Sequence, residues 1–230
     1  MFDLIHPIFK WLHIFAGIIW IGLLYFFNFV NGAFAGTMDG NTKKAVVPEL
    51  MPRALYWFRW GAAWTWFTGI ILLYVIFWHG SLSMGESVGT NMFESGVEVS
   101  MWSHIMILVT FIAVFLYDFL YKSPLAKNTR LITIIAFLLI AGIEYAMICC
   151  GQFSYRAFNI HIGAMFGTMM AFNVWFRIWP AQQKIITAIK EGNAPDADLV
   201  ALAGLRSKHN TYMSLPLLWT MINEHTVVFS

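Results

Sequence analysis

Residues 158–175 read FNIHIGAMFGTMMAFNVW, an apolar run without a single Asp, Glu, Lys or Arg. It belongs to a longer segment at about 155–179, and five others resemble it, at about 5–30, 56–79, 100–121, 131–150 and, more weakly, 212–229. Crossing a bilayer takes about 20 apolar residues. In hydrocarbon every backbone N–H and C=O must be satisfied within the segment, which leaves the helix as the form for each run. Only 11% of the residues are charged and 59% are hydrophobic, where a water-soluble domain carries about a quarter charged. The expectation is an all-α fold, a polytopic membrane helix bundle of about six transmembrane helices, forming one domain over 1–230.

The basic residues sort by side. Twelve of the fourteen Lys and Arg fall in or beside the loops 31–55, 122–130 and 180–211, leaving Lys10 and Arg156 on the opposite side. Basic loops stay cytoplasmic, so the N-terminus is expected outside and the protein in the bacterial inner membrane as a multi-pass chain, in contact with lipid. The stretch 80–99, with Glu86, Glu94 and Glu98, then faces outward as a loop. The segment at about 181–209 is expected to be a cytoplasmic amphipathic connector whose Ile185, Ile186 and Ile189 stripe suits a membrane surface. Asp196 or Asp198 is placed to cap a short helix within it.

A net charge of +2 with no basic arm and no glycine-rich phosphate loop gives no ground for nucleic acid as a partner, and none is expected. Cys149 and Cys150 are adjacent, which is neither a CxxC metal site nor a CxxCH haem attachment.

On this topology six of the seven histidines gather toward the outer face. His13, His104 and His161 lie one to two turns inside three different helices, with His6, His79 and His225 at the boundary. An ionisable group inside a membrane is a functional candidate, and imidazole is the usual axial ligand of haem iron. One or two b-type haems are therefore expected, with His13, His161, His104 and His225 as candidate iron ligands. Copper is the weaker alternative. Gly163 and Gly167 would let a porphyrin approach the backbone, although Gly163-x-x-x-Gly167 is equally a helix-packing motif. Arg156 stands where a haem propionate would emerge, or where a lipid headgroup would. Asp118 is expected to form an ion pair, Arg59 being close in depth. Glu144 lies within a span, open to pairing with Arg156 or to carrying protons.

Four blocks in order carry a family likeness: WLHIFAGIIWIG at 11–22, LYDFLYKSPLAKN at 116–128, YRAFNIHIGAMFGTMMAFNVW at 155–175 and KHNTYMSLPLLWTMINEH at 208–225. Together they resemble the membrane domain of the membrane-bound urate oxidase (urate hydroxylase) family, without its C-terminal cytochrome c domain. The resemblance implies passage of electrons toward a respiratory chain. It places His13, His161, His209 and His225 in family-like blocks, while His104 rests on position alone. The expected function is a membrane electron-transfer subunit working with other redox subunits, a cytochrome c among them, and exchanging electrons with a quinol or that cytochrome. Two alternatives stay open: a cofactor-free structural subunit of an oxidase or reductase, and an oxidoreductase acting on urate or another small heterocycle.

Overall fold

A computed structural model describes residues 2–223, so His225, one of the expected ligands, lies outside the described residues. The chain divides into two compact units, one built from 3–69 and 170–215, the other from 70–169 and 216 onward.

In the first unit, α1 (Phe2–Tyr25) runs through a π-helical turn (Phe26–Asn31) into the short α2 (Gly32–Thr37). The long α3 (Gly40–Leu73) then returns along it and crosses into the second unit. Pro7 is the sixth residue of α1, past the first turn, so it forfeits one helical hydrogen bond. The two helices meet where α3 presents Gly61, Thr65 and Gly69 at four-residue spacing. A Cβ at Gly61 would lie 3.2 Å from the Trp20 nitrogen and 3.3 Å from the Ala16 carbonyl oxygen. Small residues at this spacing bring backbones together. Trp20, Leu24, Leu55 and Phe58 bury themselves around that crossing.

In the second unit, a π-helical turn (Tyr74–Trp78) ends α3, and the stretch expected as a loop folds into an antiparallel hairpin, β1 (Gly85–Val88) with β2 (Ser95–Val99). Ser100 then caps α4 (Met101–Leu120) reciprocally with Ser103. Asn128 caps α5 (Thr129–Cys149) by accepting from the Leu131 N–H at 3.1 Å. The helix α6 (Tyr155–Asn173) follows, and it reaches the first unit at Met170. The hairpin is tied down by Met92 and Phe93, both fully buried, and by Ser154, which donates its N–H to the Met92 carbonyl and its hydroxyl to the Asn91 carbonyl.

Back in the first unit, a third π-helical turn (Val174–Ile178) leads into α7 (Trp179–Glu191). Gly192, at φ 82°, stops α7 in the left-handed cap only glycine adopts freely. Asp196 accepts from the N–H groups of Asp198 and Leu199 and so starts α8 (Ala197–Ile222). The expected connector at about 181–209 covers most of α7 and the first half of α8, and α8 continues into the last expected span. Ile185 packs with Ala181 and Ala203, and Ile186 is buried too. The reason is local: α7 and α8 are joined by a short turn and each has one small-residue or aliphatic stripe to cover.

Among the described residues, four helices are long and apolar enough to cross a membrane: Leu4–Thr37, Gly40–Trp78, Met101–Leu120 and Thr129–Cys149. The other two expected segments are more polar. α6 carries Arg156, Asn159, His161 and Asn173, and α8 carries Arg206, Lys208 and Asn210 before its apolar end. Asp118 is expected to form an ion pair. Asp118 pairs with Lys122 at 2.8 Å, and the Arg59 guanidinium lies 3.9 Å over the Trp179 ring.

Candidate functional site

His13 sits half-buried on α1, facing α3. Its Nδ1 is 2.9 Å from the Thr65 carbonyl oxygen and 3.2 Å from Thr68 Oγ1. A carbonyl only accepts, so Nδ1 carries the proton and the neutral ring keeps its lone pair on Nε2. The Thr68 hydroxyl hydrogen is committed to the Trp64 carbonyl at 2.6 Å, which leaves its oxygen to face His13 as a second acceptor. Nε2 has no partner among the described residues. Gly69 lets α3 close on the ring: a Cβ there would stand 3.0 Å from His13 Cε1. Two turns along the same face of α1, the Trp20 indole N–H is buried with no acceptor among the described residues.

An imidazole held by one nitrogen on a backbone carbonyl, with the other nitrogen unspent, is the disposition of a metal-ligating histidine. The donor type fits haem iron. No group of three or more His, Cys, Asp or Glu that could hold a bare metal ion occurs among the described residues. A single-histidine haem ligand needs no such group.

The second unit contains His161 and His104, and both rings are occupied. His161 is fully buried; its Nδ1–H donates to the Ala157 carbonyl at 2.7 Å, and its Nε2 accepts from the Trp78 indole N–H at 3.0 Å. Phe77 and Phe153 wall the ring, with centroids 6.2 and 4.9 Å away. Iron could reach Nε2 only if the Trp78 indole swung away. His104 faces two backbone carbonyls, Ser100 from Nδ1 at 3.0 Å and Leu82 from Nε2 at 3.2 Å. A neutral ring serves one of them at a time, so neither nitrogen is kept free for a metal.

The space beside Gly163 and Gly167 is filled by α8. A Cβ on Gly163 would collide with Thr220 Oγ1, and one on Gly167 would lie 3.4 Å from Leu217. Arg156 reaches the hairpin loop, donating to Asn91 Oδ1 at 2.9 Å. Glu144 makes no ion pair among the described residues.

Sequence reasoning passed over two groups. One is the Gly61, Thr65, Thr68, Gly69 face that positions His13; the small-residue spacing in GAAWTWFTG was the available signal. The other is a buried amide pair in the first unit, where Asn173 donates to Asn210 Oδ1 at 2.8 Å and Asn210 donates to the Met170 carbonyl at 3.0 Å. Nothing local marks Asn173 and Asn210 as partners, because they are far apart in the chain.

Fold and site together define a predominantly helical protein in which, among the described residues, four helices are long and apolar enough to cross a membrane, with His13 on the first of them keeping Nε2 without a partner among those residues. Residues 33–230 match the urate oxidase N-terminal family, and the chain belongs to that family. His13 precedes the matched residues. No curated protein and no solved structure matches the chain.

Proposed function

We propose that the chain is the membrane module of a urate-linked oxidoreductase and carries a b-type haem on His13. The observation that carries the reading is the single unspent ring nitrogen of His13, its partner nitrogen anchored on the Thr65 carbonyl. That anchor raises the basicity of Nε2 and holds the ring plane. Thr68 and Gly69 restrict the ring further. When bound, the haem supplies a one-electron carrier. In this reading six segments cross the bacterial inner membrane, the N-terminus lies outside, and other redox subunits, a cytochrome c among them, exchange electrons with the module.

A reduced-minus-oxidised spectrum with a pyridine haemochrome assay tests the haem. His13→Ala should abolish the band while the protein stays folded. A spectrum unchanged by His13→Ala overturns the assignment. Labelling of Ser87→Cys from outside and of Asn193→Cys from the cytoplasm tests the topology, and the reverse pattern overturns it.

A cofactor-free structural subunit is the second reading. It draws on His161 and His104, whose nitrogens all meet protein partners. Haem absent from fully reconstituted protein would favour it. Urate-dependent reduction of the haem would extend the first reading to catalysis on urate itself.

A further inference from the structure

The first unit carries a half-open cavity of about 410 Å³ that the haem reading does not use, and Gly32, Val200, Gly204 and Lys208 at its rim are exposed. The π-helical turn Phe26–Asn31 with α2 and α3 forms one side of it, and Ile178 at the end of the π-helical turn Val174–Ile178 with α7 and α8 forms the other. Its walls are mostly apolar. Phe27 and Phe58 meet edge to face at 5.2 Å, and Leu55, Ile178 and Ile185 complete the lining.

The chain keeps this space open at some cost. Gly32, Ala35, Ala203 and Gly204 all border it from within or beside helices. Glycine is among the weakest helix formers, yet a Cβ on Gly204 would meet nothing within 4 Å. Backbone packing therefore does not demand glycine there. The π-helical turn Phe26–Asn31 is the second device. It supplies Phe27, Asn28 and Asn31 to the wall, and such turns concentrate at functional sites.

The polar atoms on the wall have a definite balance. Asn28 Nδ2 donates to the Leu24 carbonyl at 2.9 Å and to Ser207 Oγ at 2.8 Å, which fixes the amide and leaves Oδ1 as an unspent acceptor. The Ser207 hydroxyl hydrogen has no acceptor among the described residues. Gln182 makes no hydrogen bond and Lys208 no ion pair among the described residues. Among the described residues, Ser207, Gln182 and Lys208 offer unspent donors, and Asn28 Oδ1, Asn31 Oδ1 and the Gln182 side-chain carbonyl offer unspent acceptors. The occupant that suits this wall is apolar, flat enough for aromatic contact, and carries oxygens that accept in one of its states and also donate in another.

We propose that this cavity binds the head of a quinone. The carbonyl oxygens would take hydrogen bonds from Lys208, Ser207 and Gln182, and the reduced form would also donate to Asn28 Oδ1. Both Leu4–Thr37 and Gly40–Trp78 are apolar enough to span a membrane and both border the cavity, so a lipid-soluble ligand has a route to it.

The test is a titration of the full chain in quinone-free phosphatidylcholine nanodiscs with decylubiquinone. Urate and oleate serve as competitors, and binding is read at equilibrium without any redox step, so a chain that carries no haem still returns a result. Saturable binding is expected. Gly204→Leu, which fills the space, should weaken it at least tenfold without lowering Tm, and Ser207→Ala should weaken it several-fold even if the leucine variant folds poorly. Gly142→Leu, at a glycine of α5 with equally open surroundings, should change nothing. Absence of saturable binding, or binding indifferent to both cavity variants, overturns the proposal. Displacement by oleate at matching concentration would make the cavity a lipid groove, and displacement by urate a heterocycle site; either result also overturns it.

Discussion

Replacing Gly69 by alanine asks whether α3 positions the His13 ring. The new Cβ would lie 3.0 Å from His13 Cε1 and 3.4 Å from Nδ1. Carbon atoms rest at about 3.5–4.0 Å, so the ring must retreat by about 0.5 Å. The Nδ1–H bond to the Thr65 carbonyl, 2.9 Å in the native chain, then passes the outer edge of good geometry at about 3.2 Å. Losing it costs ~1 kcal/mol. Alanine for glycine inside a helix returns ~1 kcal/mol. The two effects nearly cancel, so Tm should barely move while the ring loses its anchor. Thermal unfolding in detergent reads the first quantity, and ¹⁵N shifts of labelled histidine read the second through the loss of a single Nδ1–H tautomer. If haem is bound, its low-spin band should weaken in parallel. A variant that gains the full ~1 kcal/mol of helix propensity with an unchanged His13 signal would refute the close contact and the positioning it implies.

His161→Ala should destabilise the chain by about 3 kcal/mol, since it empties a fully buried site and strands the Trp78 indole N–H; loss of a haem band at unchanged Tm would instead make His161 a ligand. Gly163→Ala should cost about 1–3 kcal/mol through overpacking, and Thr220→Ala should restore most of it, because Thr220 Oγ1 is the atom the new Cβ meets first; a double variant as unstable as the single would place the strain elsewhere. His209, partly buried and beside the Arg206 cation, has its pKa pushed down from 6.5 to about 4. The unfolded chain therefore takes up that proton first, and stability should fall as pH drops from about 6.5 toward 4. His209→Gln should flatten this slope in pH-dependent melting curves, and an unaltered slope would assign it to other groups.

The helices themselves were legible in the residue order. Long uncharged runs leave no other way to satisfy a backbone, and the caps at Ser100, Asn128 and Asp196 are short-range signals that act within three residues. His13 was also legible as a candidate, because an imidazole among Ile, Phe and Gly stands out by type. What its two nitrogens face was not. That depends on Thr65 and Thr68, more than fifty residues away. The same limit explains why His161 read as a ligand. Its sequence neighbourhood is as apolar as that of His13, but folding brings the Trp78 indole onto its second nitrogen. Glycines behave alike: spacing shows that Gly163 and Gly167 share a helix face, while only packing reveals that Thr220 and Leu217 occupy the space beside them. Helix formation is set by hydrogen bonds reaching four residues along the chain. The role of a buried polar group is set by whichever distant donor or acceptor the fold brings within about 3 Å.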